Sequence, residues 1–66
     1  MNKIEFLADN FINGNLTAAR QAAKHHTTFR IGMYFRQVLC WSFEKSVLTA
    51  HYLKTGKGWQ AACDAK

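Results

Sequence analysis

The chain has 66 residues, 48% apolar and 14% aromatic, with nine Lys/Arg against four Asp/Glu and a formal charge of +5. That length allows one domain, excludes a large enclosed substrate pocket, and leaves a core that only dense packing can stabilise. Two cysteines make no disulfide framework, no apolar run approaches the roughly 20 residues of a membrane span, and the amphipathic N-terminus carries no secretory signal, so a cytoplasmic protein with reduced thiols is expected.

No proline, four glycines and no alternating, β-branched run point to an all-α chain. The first helix is predicted from about Asn2 to Asn13. Ile4, Leu7, Ala8, Phe11 and Ile12 form its apolar stripe at helical spacing, with Phe6 off the stripe. Gly14 stands where a glycine ends a helix by taking positive φ. Asn15 or Thr17 caps an Ala-rich second helix, whose Leu16, Ala19 and Ala23 face permits close approach. Lys24, His25 and His26 are expected as solvated partners of its C-terminal dipole.

Thr27 or Thr28 caps a third helix, about Thr28 to Leu39. Its core spacing is Ile31, Tyr34, Phe35, Val38 and Leu39. The opposite side gathers Phe29, Arg30, Met33, Arg36 and Gln37. Arg, Met and aromatics on one face are the composition of interface cores rather than of a purely solvated surface. Ser42 caps a fourth helix with apolar residues on two sides, Phe43, Val47 and Ala50 on one and Leu48 and Tyr52 on the other. A helix of that kind is expected to be central. Gly56 ends it, and Trp59, Ala62 and Cys63 dock a short last helix.

The chain also repeats its own plan. A helix ending in Phe11-Ile12, a turn at Gly14 and a helix from Leu16 through Ala18-Ala19 correspond to Tyr52-Leu53, Gly56 to Gly58, and Trp59 through Ala61-Ala62. The expected fold is a compact bundle of four to five short helices, two αα-hairpins around a central helix, in a single helical domain over residues 1–66.

Chemistry is sparse. No carboxylates pair at acid–base spacing. Cys40 or Cys63 with His51 would make a nucleophilic pair, but nothing local supports one. Cys40, Cys63, His51 and His25 or His26 are metal-ligand types without the short-spaced clamps of a metal site, and the thiols are expected as small buried hydrophobes. Lys54-Thr55-Gly56-Lys57-Gly58 follows a helix rather than a strand, so it reads as a connection and not a phosphate loop. No enzyme activity, cofactor or metal is expected. From Asn10 to Phe43 there is no acidic residue, while Arg20, Lys24, Arg30 and Arg36 fall there. A one-signed segment attracts an acidic protein surface or a polyanion.

Two resemblances follow from these residues. Gly14 to Arg20 opening an Ala-rich helix, a short turn, and the basic helix with Arg30 and Arg36 resemble helix-turn-helix DNA-binding domains. That resemblance implies a second helix in the major groove. Gly14-Asn15-Leu16-Thr17, together with Tyr52-Leu53-Lys54 and Gly58 to Asp64, is similar to small accessory proteins of phages and plasmids, among them anti-CRISPR proteins. This second resemblance implies a short, non-catalytic protein that inhibits a host complex by contact. The partner expected is a host protein or ribonucleoprotein complex, with nucleic acid as the alternative and no membrane. The contact face would comprise Phe29, Arg30, Met33, Arg36 and Gln37, with Arg20 and Lys24 at its margin. A homodimer burying Phe29 and Met33 is a further expectation.

Overall fold

Residues 3–65, which the computed structural model describes, form five helices and no strand: α1 Ile4–Ile12, α2 Leu16–Ala23, α3 Thr28–Gln37, α4 Phe43–Thr55 and α5 Trp59–Asp64. Asn2, where the first helix is expected to begin, lies outside the described residues. The bundle measures 29 × 23 × 21 Å along its principal axes.

Local chemistry sets the boundaries. Gly14, at φ +83°, turns the chain after α1, and Asn15 N–H donates to the Asn10 carbonyl at 2.8 Å. Asn15 holds the N-cap position of α2, yet its side chain makes no cap bond. Its Nδ2 instead donates to Asn10 Oδ1 at 3.1 Å, closing the turn from outside. Thr27 Oγ1 accepts from the Arg30 N–H at 3.1 Å, and Ser42 Oγ accepts from the Lys45 N–H at 3.2 Å. Each satisfies a donor that a helix start leaves orphaned. Gly56, at φ +77°, ends α4, and its N–H donates to the Tyr52 carbonyl at 2.7 Å.

α4 is the central helix, packed against α2, α3 and α5, while α1 pairs with α2 and touches α3. The two hairpins with the most extensive contact are α1–α2 and α3–α4. The internal repeat points to α4–α5 as the second hairpin. Those helices do pack together, but six-residue α5 offers less surface than α3. The repeat persists in burial at one place: Ala19 and Ala62, one in each Ala-rich helix, are both buried.

The face that α4 buries differs from the expected one. Ser46, Thr49, Ala50 and Leu53, at i, i+3, i+4 and i+7, are buried with Tyr52, whereas Phe43 and Val47 are exposed. The reason is the neighbour. Gly32 of α3 faces α4 at Ser46 and Ala50: a Cβ there would lie 3.7 Å from the Ser46 carbonyl oxygen and 3.8 Å from Ala50 Cβ, ordinary contact distances. The two helices therefore cross through small residues. Ser46 is satisfied locally, its Oγ donating to the Ser42 carbonyl at 2.8 Å.

An aromatic chain fills the space between the elements. Phe35, fully buried, stacks on Trp41 with ring centroids 4.5 Å apart. Phe11 lies 5.9 Å from Phe35, 6.0 Å from Trp41 and 6.5 Å from Trp59. Trp59 meets Tyr52 at 4.9 Å. Trp41 belongs to no helix, so helical periodicity could not place it. It is held at both backbone groups: its N–H donates to the Phe35 carbonyl at 3.0 Å, and its carbonyl accepts from Arg36 Nη1 at 3.3 Å. Lys45 Nζ sits 4.3 Å from its ring centre, at cation–π distance.

Other apolar expectations change too. Ile12 and Val38 are exposed because each stands at or past the end of its helix, where the stripe has rotated off the core. Cys40 and Cys63 are exposed free thiols rather than buried hydrophobes. Cys40 lies in the α3–α4 link at φ +60°, and α5 buries only Ala62. His26 is half-buried, and its Nε2 has no hydrogen-bond partner among the described residues. The carbonyls at the end of α2 are reached instead by a residue remote in sequence: Lys54 Nζ donates to the Ala23 carbonyl at 3.1 Å and the His26 carbonyl at 2.7 Å.

Candidate functional site

α3 buries Ile31, Gly32 and Phe35 and turns its other side to solvent. Phe29 is 76% exposed, a value no core residue approaches, and Met33 is half-buried one turn further on. Together with Gln37 they form a ridge along the helix, at i, i+4 and i+8. A groove runs on each side of that ridge.

The first groove lies between α3 and α4 and encloses about 430 Å³. Phe29, Met33, Arg36 and Gln37 line it from α3, and Phe43 and Val47 from α4, with Gly32 and Ser46 between them. Phe43 is 68% exposed. The second groove, of about 340 Å³, lies on the α1 side and is lined by Ile4, Arg30, Tyr34 and Val38 beside the same ridge. Arg36 and Arg30 therefore occupy opposite flanks of one apolar crest. The Arg36 guanidinium is steadied by its bond to the Trp41 carbonyl.

Five of the seven residues singled out in the sequence, Phe29, Arg30, Met33, Arg36 and Gln37, are thus brought together. Arg20 and Lys24 are placed elsewhere. They line a separate groove with Thr17, Gln21, Leu53 and Lys54, because α2 packs on α1 and α4. Arg20 lies over the Tyr52 ring, 5.9 Å from its centre. Phe43 and Val47 are the members of the face that helical periodicity assigned to the core. The signal that could have found them is Ser46-x-x-Thr49-Ala50-x-x-Leu53, a second helical stripe of smaller residues with the spacing of a close helix crossing.

Exposed Phe29, Phe43 and Val47 around half-buried Met33, rimmed by arginine, have the composition of an interface core, not of a solvated surface. Among the described residues no cluster of three His, Cys, Asp or Glu is placed to hold a metal ion. No described helix is long and apolar enough to cross a membrane. Another aromatic cleft, between α1 and α5, is lined by Phe11, Ile12, Trp41, Lys45 and Trp59. Its rings belong to the aromatic chain that holds the fold together. Comparison of the chain with protein-family models, with curated proteins and with solved structures finds no match.

Proposed function

We propose that this chain is a non-catalytic binding protein whose α3–α4 face covers a surface of a host macromolecular complex, in the manner of the anti-CRISPR-like accessory proteins that its sequence resembles. The observation that carries the reading is the exposure of Phe29 and Phe43 on either side of one groove. Exposed aromatics contribute little to folding, and burying them against a partner recovers the free energy that solvent exposure withholds. Arg30 and Arg36 supply charge-assisted contacts at the flanks and steer the encounter with an acidic surface.

Binding to nucleic acid through a helix-turn-helix has less support. The main partner of α3 is α4 rather than α2, and Phe29 and Met33 stand where base-reading polar side chains would be needed.

The test is plasmid transformation into cells whose defence complex destroys the incoming DNA. Expression of the chain is expected to raise transformation, and Arg30→Glu with Arg36→Glu to abolish the rise with an unchanged helical circular dichroism spectrum. Full rescue by the folded double variant would exclude the face. Binding to bare duplex that falls steeply from about 50 to 200 mM salt would support the nucleic-acid reading instead.

A further inference from the structure

Resting on the reading of the α3–α4 face as a protein contact, we propose that its occupant is an acidic amphipathic helix, laid along the groove with apolar anchors between Phe29 and Met33 on one wall and Phe43 and Val47 on the other.

Shape gives the first argument. Gly32, which has no side chain, and Ser46, which is small, line the groove between its aromatic walls, so neither fills it. Its long wall runs from Phe29 to Gln37, a rise of ~12 Å at ~1.5 Å per residue. That accommodates about two helical turns, the span of anchors at i, i+3 or i+4, and i+7.

The lining chemistry gives the second. An extended peptide needs main-chain partners, supplied in strand addition by an open sheet edge. The described residues contain no strand, and the groove walls are carbon except at Arg36, Gln37, Thr28 and Ser46. A helix brings its own backbone hydrogen bonds and asks of the groove only apolar contact.

Charge gives the third. Among the described residues no carboxylate lines either groove beside the ridge, while Arg36 lines one and Arg30 the other. Glu or Asp on the flanks of the incoming helix would meet an arginine on each side, whereas Lys or Arg there would meet like charge. A second copy meeting this face through its own α3–α4 face would present the same basic lining and, among the described lining residues, no complementary acid. A nucleic acid strand would find one arginine per flank and an apolar crest between them.

The proposal is tested by fluorescence anisotropy with the full chain and labelled peptides of ~16 residues, long enough to be marginally helical alone. One peptide carries Leu and Phe at i, i+3, i+4 and i+7 with Glu on the flanks. A second has Lys in place of Glu, and a third scrambles the acidic sequence. The acidic amphipathic peptide is expected to bind saturably, and ~tenfold or more tighter than the other two. Phe43→Ala with Val47→Ala is expected to weaken it by ~tenfold or more, and Arg30→Glu with Arg36→Glu to reverse the preference between acidic and basic peptides. Equal binding of the acidic and basic peptides, equal binding of the scrambled one, or indifference to the truncations would overturn the assignment. If no acidic helix binds while the arginine reversals still abolish rescue in cells, the contact face stands and this occupant is wrong. If the acidic helix binds as described while the reversals leave rescue intact, the groove is as proposed and the inhibitor role is not its use.

Discussion

Phe29 and Phe43 can be separated from the fold by substitution, because the structure gives them little part in it. Burying a phenylalanine fully is worth about 1.5–3 kcal/mol. Phe29 hides about a quarter of its surface and Phe43 about a third, so the two together contribute only about 1–1.5 kcal/mol by this proportion. Alanine recovers a few tenths of that at each site through its better helix propensity. Phe29→Ala with Phe43→Ala is therefore expected to cost about 1 kcal/mol or less. Phe35 is the internal control. It is fully buried and stacked on Trp41, and truncating such a residue costs about 3–5 kcal/mol. A domain of this size has a total stability of roughly 3–10 kcal/mol, so that loss is a large fraction of the whole. Each kcal/mol moves the midpoint of a domain this small by roughly 4–8 °C. Thermal melts followed by circular dichroism should show the double variant within that interval of the parent, and Phe35→Ala unfolded or lowered by well over 10 °C. If the double variant melted as low as Phe35→Ala, the two exposed rings would be structural and the contact face would lose its chief support.

Three further outcomes follow from particular contacts. Gly32→Ala should raise the urea midpoint, with the slope unchanged, by an equivalent of about 0.5–1 kcal/mol: its Cβ meets α4 at ordinary contact distances, and the unfolded chain loses freedom. Lys54→Met should cost about 1–2 kcal/mol, at the low end for charged hydrogen bonds because the side chain is exposed, and should speed amide exchange around Ala23 to His26. Gly56→Ala should destabilise more than Gly14→Ala. Both glycines have positive φ, worth about 1–2 kcal/mol, but a Cβ at Gly56 also meets Arg20 Nη2 and displaces it from Tyr52, whereas the space at Gly14 is open. Equal melting temperatures for the two glycine variants would remove the Arg20 contact from the account.

Much of this fold is legible in the sequence because its signals are local. The glycines at 14 and 56 and the cap at Ser42 are decided within a turn or two of chain and are found where expected; of Thr27 and Thr28 it is Thr27 that caps, and of the stripe Ile4, Leu7, Ala8, Phe11 and Ile12 the first three are buried, Phe11 is half-buried and Ile12 is exposed. The composition of the α3 face is local as well, which is why Phe29, Arg30, Met33, Arg36 and Gln37 can be grouped before any tertiary contact is known. What stays hidden depends on the neighbour. Hydrophobicity alone assigns Phe43 and Val47 to the core. The crossing of Gly32 at Ser46 and Ala50 decides otherwise, by turning those small residues of α4 to the interior. Arg20 and Lys24 share the charge of the α3 arginines but not their place, since charge says nothing about which helices pair. Trp41 and Lys54 act across the chain, one from a link and one over 31 residues to Ala23, and no periodicity announces either.

If a partner covers the ridge and groove of α3 and α4, photo-crosslinking in the native host will capture it from residues of that face. A photoreactive phenylalanine analogue placed singly at Met33 and at Phe43 should each yield a discrete adduct to one and the same host protein. The same analogue at Ile12 and at Lys57, exposed positions outside this face, should yield none. Adducts from Ile12 or Lys57 with silence at Met33 and Phe43 would place the working surface elsewhere on the molecule.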